Sequence, residues 1–429
     1  MKETLYRLVA RRVGYIQPVG FFEDKSLPKI LQHAFESTSY YRRLFLESGI
    51  AVGGEVRMER FNQIPFLDKD ILRACAGELI SNRVGRSATY WNTSGGSTGE
   101  PVRFLQDKNY LRAARAITYR QKTWTGYRFG DRILKLWGDE REILHGGQSF
   151  KSRLTHLAKN LTLLNSFSMT PERMVEYVRV INAQKPKLIV AYAQAMYELC
   201  RFAEEQKLEM RGAQAVMTSA GTLHSFMRDT IERVCGVRVF NRYGTREVGN
   251  IASECDRHEG LHVSEGVHLE VVDEKGESCV PGSEGEIVIT SLLNRSMPFI
   301  RYRIGDFGIL SDRPCSCGRS GLLLKQVSGR VTDAFRTAYG KVIPAEYFIH
   351  IIGVVLNRGI IKKFQIVQEG FDRIRIRMVC ADSLPEADQR DIEDKIKLVM
   401  GRTCSVDYEF VDTIPPLASG KYRYTISMV

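Results

Sequence analysis

Thr93-Ser94-Gly95-Gly96-Ser97-Thr98-Gly99-Glu100-Pro101 packs three glycines and four hydroxyl side chains into nine residues. Glycine lets the backbone turn tightly and lie close to an anion. Successive amide N–H groups in such a turn form a concave nest for phosphate oxygens, and Ser and Thr hydroxyls add donors. The preceding Ala88-Thr89-Tyr90-Trp91-Asn92 reads as a short strand, so the loop follows a strand, as phosphate loops do. It is not the common P-loop, because no Gly-Lys-Ser/Thr follows it. The same composition also suits a flexible surface linker, so the loop needs support from the rest of the chain.

The chain has 429 residues, 43% of them hydrophobic and 26% charged, which is the composition of an ordinary globular protein of two or three domains. No run of about 18 apolar residues occurs, so no membrane-spanning helix is expected. Met1-Lys2-Glu3-Thr4-Leu5-Tyr6-Arg7-Leu8-Val9-Ala10 lacks the long apolar core of a secretion signal, and the cytoplasm is the expected compartment. The net charge of +12 suits an anionic substrate, nucleic acid or an anionic membrane surface without choosing among them, and leaves room for peripheral membrane association. Arg112, Arg115, Arg120 and Lys122 form one basic cluster and Lys151, Arg153 and Lys159 another. Neither has the interleaved aromatics of a single-strand binding groove, so no nucleic-acid partner is expected. Nine cysteines, an odd number with no secretion signal, argue against a disulfide framework.

Residues 1 to about 85 read as mostly helical. From about 130 to 245 apolar runs alternate with helical stretches: Ile133–Trp137, Leu188–Ala191, Ala213–Met217 and Val237–Phe240 as strands, Ala193–Glu205 and Phe226–Val234 as helices. Thr170-Pro171-Glu172 opens another helix, with Thr as cap and Pro in the first turn. Such alternation implies a parallel sheet with helical crossovers. Residues 250–311 turn β-rich. After about 330 a small α+β domain begins, marked by the strict alternation of Arg373-Ile374-Arg375-Ile376-Arg377-Met378 and the helical spacing of Ile392, Ile396 and Val399.

Four further segments stand in order behind the Gly-rich loop: Tyr243-Gly244-Thr245-Arg246-Glu247, Arg301-Tyr302-Arg303-Ile304-Gly305-Asp306, Gly329-Arg330-Val331-Thr332-Asp333, and Ser419-Gly420-Lys421-Tyr422-Arg423. In this order they resemble the adenylate-forming ligases, the acyl- and aryl-CoA ligases and their relatives. The likeness is to the phenylacetate–CoA ligase-like branch with its CapK-type members, and it runs from about residue 30 to 425. Tyr40-Tyr41-Arg42 and Ile64-Pro65-Phe66-Leu67-Asp68-Lys69 look like that branch too. Each motif alone is weak; the set in order is specific.

The resemblance implies an α/β fold. A large AMP-binding domain (1–329) would hold parallel sheets and a β-rich part at about 250–325, and a small mobile lid domain (330–429) would follow. It also implies a two-step reaction in which a carboxylic acid attacks ATP to give an acyl adenylate and pyrophosphate, and an acceptor, most simply CoA, then displaces AMP. Thr93, Ser94, Gly95, Gly96, Ser97, Thr98 and Gly99 would hold the β- and γ-phosphates. Glu247 would bind Mg²⁺, a hard ion that takes carboxylate oxygen. Tyr243 and Gly244 would lie against the adenine or the acyl group, Thr245 would reach the α-phosphate, and Ser219, Ala220 and Gly221 would form the adenine-side loop. Asp306 would accept both ribose hydroxyls, and Arg330 would lie near the ribose or phosphates. Lys421 would bridge the α-phosphate and the attacking carboxylate, with Asp333 as the hinge that moves it. Past Asp333 the chain reads Ala334-Phe335-Arg336, where the family pattern runs to a second acidic residue and a Gly-rich turn.

Cys255-Asp256-Arg257-His258 and Cys315-Ser316-Cys317-Gly318 offer two ligand pairs about 60 residues apart, enough for a tetrahedral Zn²⁺ site of three Cys and one His. His262, in Gly260-Leu261-His262-Val263, is the rival nitrogen ligand. Four protein ligands leave no open position, so such a zinc would be a structural clip. The other readings are transfer of the acyl group to a sugar or amine in surface polysaccharide synthesis, and a catalytically silent nucleotide-binding homologue.

Overall fold

The computed structural model describes residues 26–93, 102–138, 160–167, 169–328, 335–343, 345–352, 360–380, 383–415 and 424–429. The Gly-rich loop from Ser94, and Arg330, Asp333 and Lys421, therefore lie outside the described residues.

Of the stretch expected to be mostly helical, residues 1–25 lie outside the described residues; from there on it holds α1 (Leu27–Ser37), α2 (Ser39–Glu47) and α3 (Lys69–Ala74), with a short hairpin of β1 (Ala51–Val52) and β2 (Glu55–Val56). Two antiparallel strands, β3 (Thr89–Thr93) and β4 (Arg103–Asp107), follow, with Thr93 opposite Arg103. The Gly-rich segment joins these two strands. Asp107 caps α4 (Lys108–Thr123) by accepting the Tyr110 N–H at 2.7 Å.

The strand–helix alternation is observed. β5 (Ile133–Trp137), β6 (Leu161–Asn165), β7 (Leu188–Tyr192), β8 (Val216–Ser219) and β9 (Val239–Thr245) are parallel. They alternate with α5 (Pro171–Gln184), α6 (Ala193–Glu205) and α7 (Ser225–Cys235). Thr170 caps α5 by accepting the Arg173 N–H at 3.3 Å, with Pro171 in the first turn. β7 is buried at all five positions, which explains its continuous apolar run.

At β9 the sheet changes character without a break. β9 turns back antiparallel into β10 (Gly249–Glu254). β11 (Leu261–Val263), β12 (Val267–Val272), β13 (Glu284–Ser291), β14 (Tyr302–Leu310) and β15 (Leu323–Ser328) then extend the same sheet. The resulting order is β12-β13-β14-β15-β11-β10-β9-β8-β7-β5-β6. The parallel part and the β-rich part are thus one mixed sheet. Gly244 is fixed by this turn, since a Cβ there would stand 2.6 Å from the Gly249 carbonyl oxygen.

The C-terminal part has a small hairpin of β16 (Phe335–Arg336) and β17 (Val342–Ile343), then α8 (Ala345–His350). A four-stranded sheet follows, of β18 (Ile361–Gly370), β19 (Arg373–Cys380), β20 (Ser405–Phe410) and β21 (Thr425–Ser427), ordered β20-β19-β18-β21. Along β19 the isoleucines are buried while the arginines lie on the wetter face. α9 (Glu386–Met400) buries Ile392, Ile396 and Val399. The two parts of the chain meet through β16 and α8: the rings of Phe167 and Tyr347 cross edge to face at 5.3 Å, and Arg336 forms an ion pair with the buried Glu198 of α6.

Candidate functional site

The C-terminal end of β9 carries Tyr243-Gly244-Thr245 and the turn after it carries Glu247. β14 carries Tyr302 and Asp306. The phenol of Tyr243 donates to Asp306 Oδ2 at 2.8 Å, and that of Tyr302 donates to Glu247 Oε1 at 3.4 Å. Two motifs that lie far apart in sequence therefore meet at one end of the sheet. Glu247 is buried. Thr245 Oγ1 accepts the Val248 N–H at 3.3 Å and braces the turn.

Two residues that the motifs do not contain, Gln106 and Asn92, together with Arg246 hold this turn against β3. Gln106 on β4 donates its amide to the carbonyls of Arg246 and Glu247 at 3.0 and 3.2 Å. Asn92 donates to Gln106 Oε1 at 3.0 Å. Arg246 donates to the Thr93 carbonyl at 3.4 Å, so the start of the Gly-rich segment and the Tyr243–Glu247 turn are neighbours. No sequence signal marked Gln106, which sits on a strand with no motif of its own. Tyr302 did lie inside a singled-out segment, but its link to Glu247 needs the sheet pairing. Ser219 closes β8, and Ala220 follows it with φ +55°, a left-handed conformation costly for a side chain with a Cβ and often kept at binding sites.

The metal candidates come together with one change. Cys255, His262, Cys315 and Cys317 place their ligand atoms within 4.8 Å of one another, so His262, not His258, joins the thiols. The register explains it: Ser253 pairs with His262 and His262 with Leu323, which sets His262 between the strand before Cys255 and the strand after the Cys315–Cys317 turn. His258 points elsewhere. Its Nδ1 lies 3.3 Å from Glu254 Oε2 and 3.4 Å from Arg228 Nη1, and its ring packs on Phe240.

The donor set fits zinc. Cys255 and Cys315 sulfurs stand 3.6 Å apart, and Cys317 Sγ stands 3.4 Å from His262 Nε2. A tetrahedral zinc with ordinary bond lengths needs about 3.8 Å between sulfurs and about 3.5 Å from sulfur to nitrogen. The Arg257 and Arg319 amides each donate to a cysteine sulfur at 3.4 Å, favouring thiolate. Burial pushes the Cys315 thiol up to about 12, the reverse of what a nucleophile needs.

A separate cavity of about 430 Å³ lies between α5, α6 and β16–β17, lined by Glu172, Glu198, Arg201 and Arg336 among others. It contains none of the motif residues. No helix among the described residues is long and apolar enough to cross a membrane.

Residues 335–428 match the family of the CapK C-terminal domain. Over 95% of its length the chain is 26% identical to a phenylacetate-coenzyme A ligase of Thermus thermophilus, covering 96% of that protein. It is 23% identical to the protein CapK of Staphylococcus aureus, covering 95% of this chain and 89% of that one. Over nearly its whole length the chain is thus similar to phenylacetate–CoA ligase and CapK proteins, and its C-terminal part matches the CapK C-terminal domain. The fold agrees: a solved 2-hydroxyisobutyryl-CoA ligase, in complex with 2-HIB-AMP and CoA, matches with a TM-score of 0.60 at 20% identity, over 96% of this chain and 91% of that one. Among the described residues of the quoted motifs, Tyr243 with Asp306 and Tyr302 with Glu247 form two hydrogen-bonded pairs.

Proposed function

We propose that this chain adenylates a carboxylic acid with ATP and then transfers the acyl group to CoA. The observation that carries the reading is the convergence of Tyr243, Asp306, Glu247 and Tyr302 at one end of the sheet, beside the start of the Gly-rich segment. Asp306, held by the Tyr243 phenol, accepts the two ribose hydroxyls. The Tyr243 ring lies between the nucleotide and the acyl side. Glu247, braced by Tyr302, binds Mg²⁺, which would supply neutralisation of phosphate charge. Thr245, and the segment from Thr93 to Gly99, give the phosphates their donors. Lys421 offsets the negative charge that builds up as the carboxylate attacks the α-phosphorus.

The three cysteines and His262 hold a structural zinc that clips β10, β11 and β15 together. Nearly full-length similarity to a phenylacetate-coenzyme A ligase supports CoA as the acceptor, and no observation among the described residues favours a sugar. The test is to incubate the purified chain with ATP, Mg²⁺, CoA and pooled carboxylic acids and to follow the products by mass spectrometry. A new acyl-CoA with stoichiometric AMP is expected. Conversion of ATP to ADP, or acyl-AMP that CoA never consumes, would contradict the assignment.

A further inference from the structure

Arg242 stands immediately before Tyr243 on β9, and side chains on a strand alternate between faces. Tyr243 turns toward β14 and Asp306. Arg242 turns to the opposite face, the one where Phe240 packs with Val190 and Met217. In the β8–β9 ladder Met217 pairs with Phe240 and Thr218 with Asn241. One step further, Ser219 stands opposite Arg242, and Arg242 Nε donates to Ser219 Oγ at 3.3 Å. That bond fixes the root of the guanidinium at the C-terminal ends of β8 and β9.

What distinguishes this arginine is that it has no counter-charge among the described residues. Two other arginines that run into the interior each meet a glutamate: Arg301 meets Glu270 at 3.0 Å and Arg228 meets Glu254 at 2.6 Å. Among the described residues no carboxylate pairs with Arg242. Its side chain keeps only partial contact with solvent, and burial pulls its pKa down to about 10. An uncompensated charge out of water is costly, and groups that break this rule mark functional sites. An incoming anion removes the cost, and the planar guanidinium fork matches a carboxylate through two parallel hydrogen bonds.

The position selects which anion. The Asp306–Tyr243 pair lies on the other face of β9, and Glu247 lies beyond the strand end, so under the proposed function the nucleotide's ribose and phosphates lie away from Arg242. On the face that Arg242 shares, the strand positions before it are apolar core, Met217, Phe240 and Val190, with the partly buried Trp137 packed against them. The ground beside the guanidinium is therefore apolar, which suits the carbon body of an acid more than a second polar group. We propose that Arg242 recognises a second carboxylate on the acyl substrate, so that the enzyme's acid is a dicarboxylic acid activated at the carboxyl remote from Arg242. Ser219 is a positioning residue that orients the fork. This inference rests on the proposed adenylation reading and names the substrate class of that site.

The experiment uses the full chain and matched pairs of acids of equal carbon skeleton, from succinate/butyrate to sebacate/decanoate, with terephthalate/4-methylbenzoate as an aromatic pair. Two readouts are taken on the wild type, Arg242→Met and Arg242→Lys: acid-dependent ATP–pyrophosphate exchange, and the shift in Tm that each acid produces with ATP and Mg²⁺ present. For one pair, the wild type is expected to prefer the dicarboxylate by at least about 100-fold in kcat/KM, as sites built around a polar partner do. Arg242→Met is expected to lose that preference, and Arg242→Lys to restore part of it. Equal use of both members of every pair, or a preference unchanged in Arg242→Met, overturns the inference and leaves adenylation standing. If no acid supports exchange but dicarboxylates alone raise the wild-type Tm and not that of Arg242→Met, the anion site stands and the adenylation reading falls. If dicarboxylates neither exchange nor raise Tm more than their partners, the inference falls by itself. Circular dichroism establishes that each variant is folded.

Discussion

The Tyr243 phenol donates to Asp306 Oδ2 at 2.8 Å across 63 residues of sequence, which makes the carboxylate proposed for the ribose part of a built contact between β9 and β14. A hydrogen bond to a charged group contributes about 1.5–3 kcal/mol. Tyr243→Phe keeps the ring and removes that bond, so the KM for ATP is expected to rise roughly tenfold with a smaller change in kcat. Asp306→Ala is expected to raise it further. Steady-state kinetics with ATP as the varied substrate checks both, and an unchanged KM in Asp306→Ala would remove it from the nucleotide site.

The metal assignment discriminates between two histidines four residues apart. Elemental analysis is expected to find one zinc per chain in the wild type and in His258→Ala, and much less in His262→Ala. Cys317→Ser and prolonged chelation are expected to lower Tm, because structural zinc contributes folding free energy directly. Zinc retained by His262→Ala and lost by His258→Ala would reverse the assignment.

Arg336 on β16 pairs with Glu198 on α6, and Glu198 is 4% exposed. Its other oxygen accepts the Gln194 amide at 2.9 Å. Removing one partner of a fully buried pair is destabilising by about 3–5 kcal/mol; here the Arg336 side chain is 31% exposed, so a smaller loss is expected, from the Glu198 charge left uncompensated. Arg336→Met is therefore expected to lower stability, and the double variant Arg336→Met/Glu198→Gln to recover much of it. Urea unfolding of the two single variants and the double variant measures the coupling; additive losses would show that the pair contributes nothing.

Lys341 is poorly solvated, and burial, with Arg173 adding to it, pulls its pKa from 10.5 to about 8. The unfolded chain then binds more protons at this site than the folded one between about pH 8 and 10.5, so this group's contribution to stability rises with pH across that window. Its Nζ donates to the Val399 carbonyl at 2.7 Å, which Lys341→Met also loses. The wild type is expected to gain stability relative to Lys341→Met as pH rises from 8 to 10, measured by urea unfolding at several pH values. A difference that does not move with pH would place the lysine's pKa near its ordinary value.

Much of this architecture was legible in the sequence. The run Leu188–Ala191 became β7, Ala193–Glu205 became α6 with the same bounds, and Thr170-Pro171 opened α5, because buried strands and capped helices leave strong local signals. The alternation of Arg373 to Met378 gave one wetter face of β19. Long-range facts were hidden. Spacing from Cys255 favoured His258, but the zinc geometry depends on how β10, β11 and β15 pair, and spacing carries no register. The continuity of the parallel and antiparallel parts through β9 and β10 was equally invisible, since each part reads correctly alone. Gln106 and Arg242 carry no motif; only the three-dimensional contacts single them out.

Acid-dependent ATP–pyrophosphate exchange, run on the wild type and on Lys421→Ala with Mg²⁺ and no CoA, tests the adenylation claim most directly. Exchange that needs a carboxylic acid, and that falls by about 100-fold or more in Lys421→Ala while ATP binding persists, is the expected result. Acid-dependent exchange that Lys421→Ala leaves intact would contradict the lysine's role. Absence of exchange with every acid, in protein that binds ATP, would contradict adenylation itself.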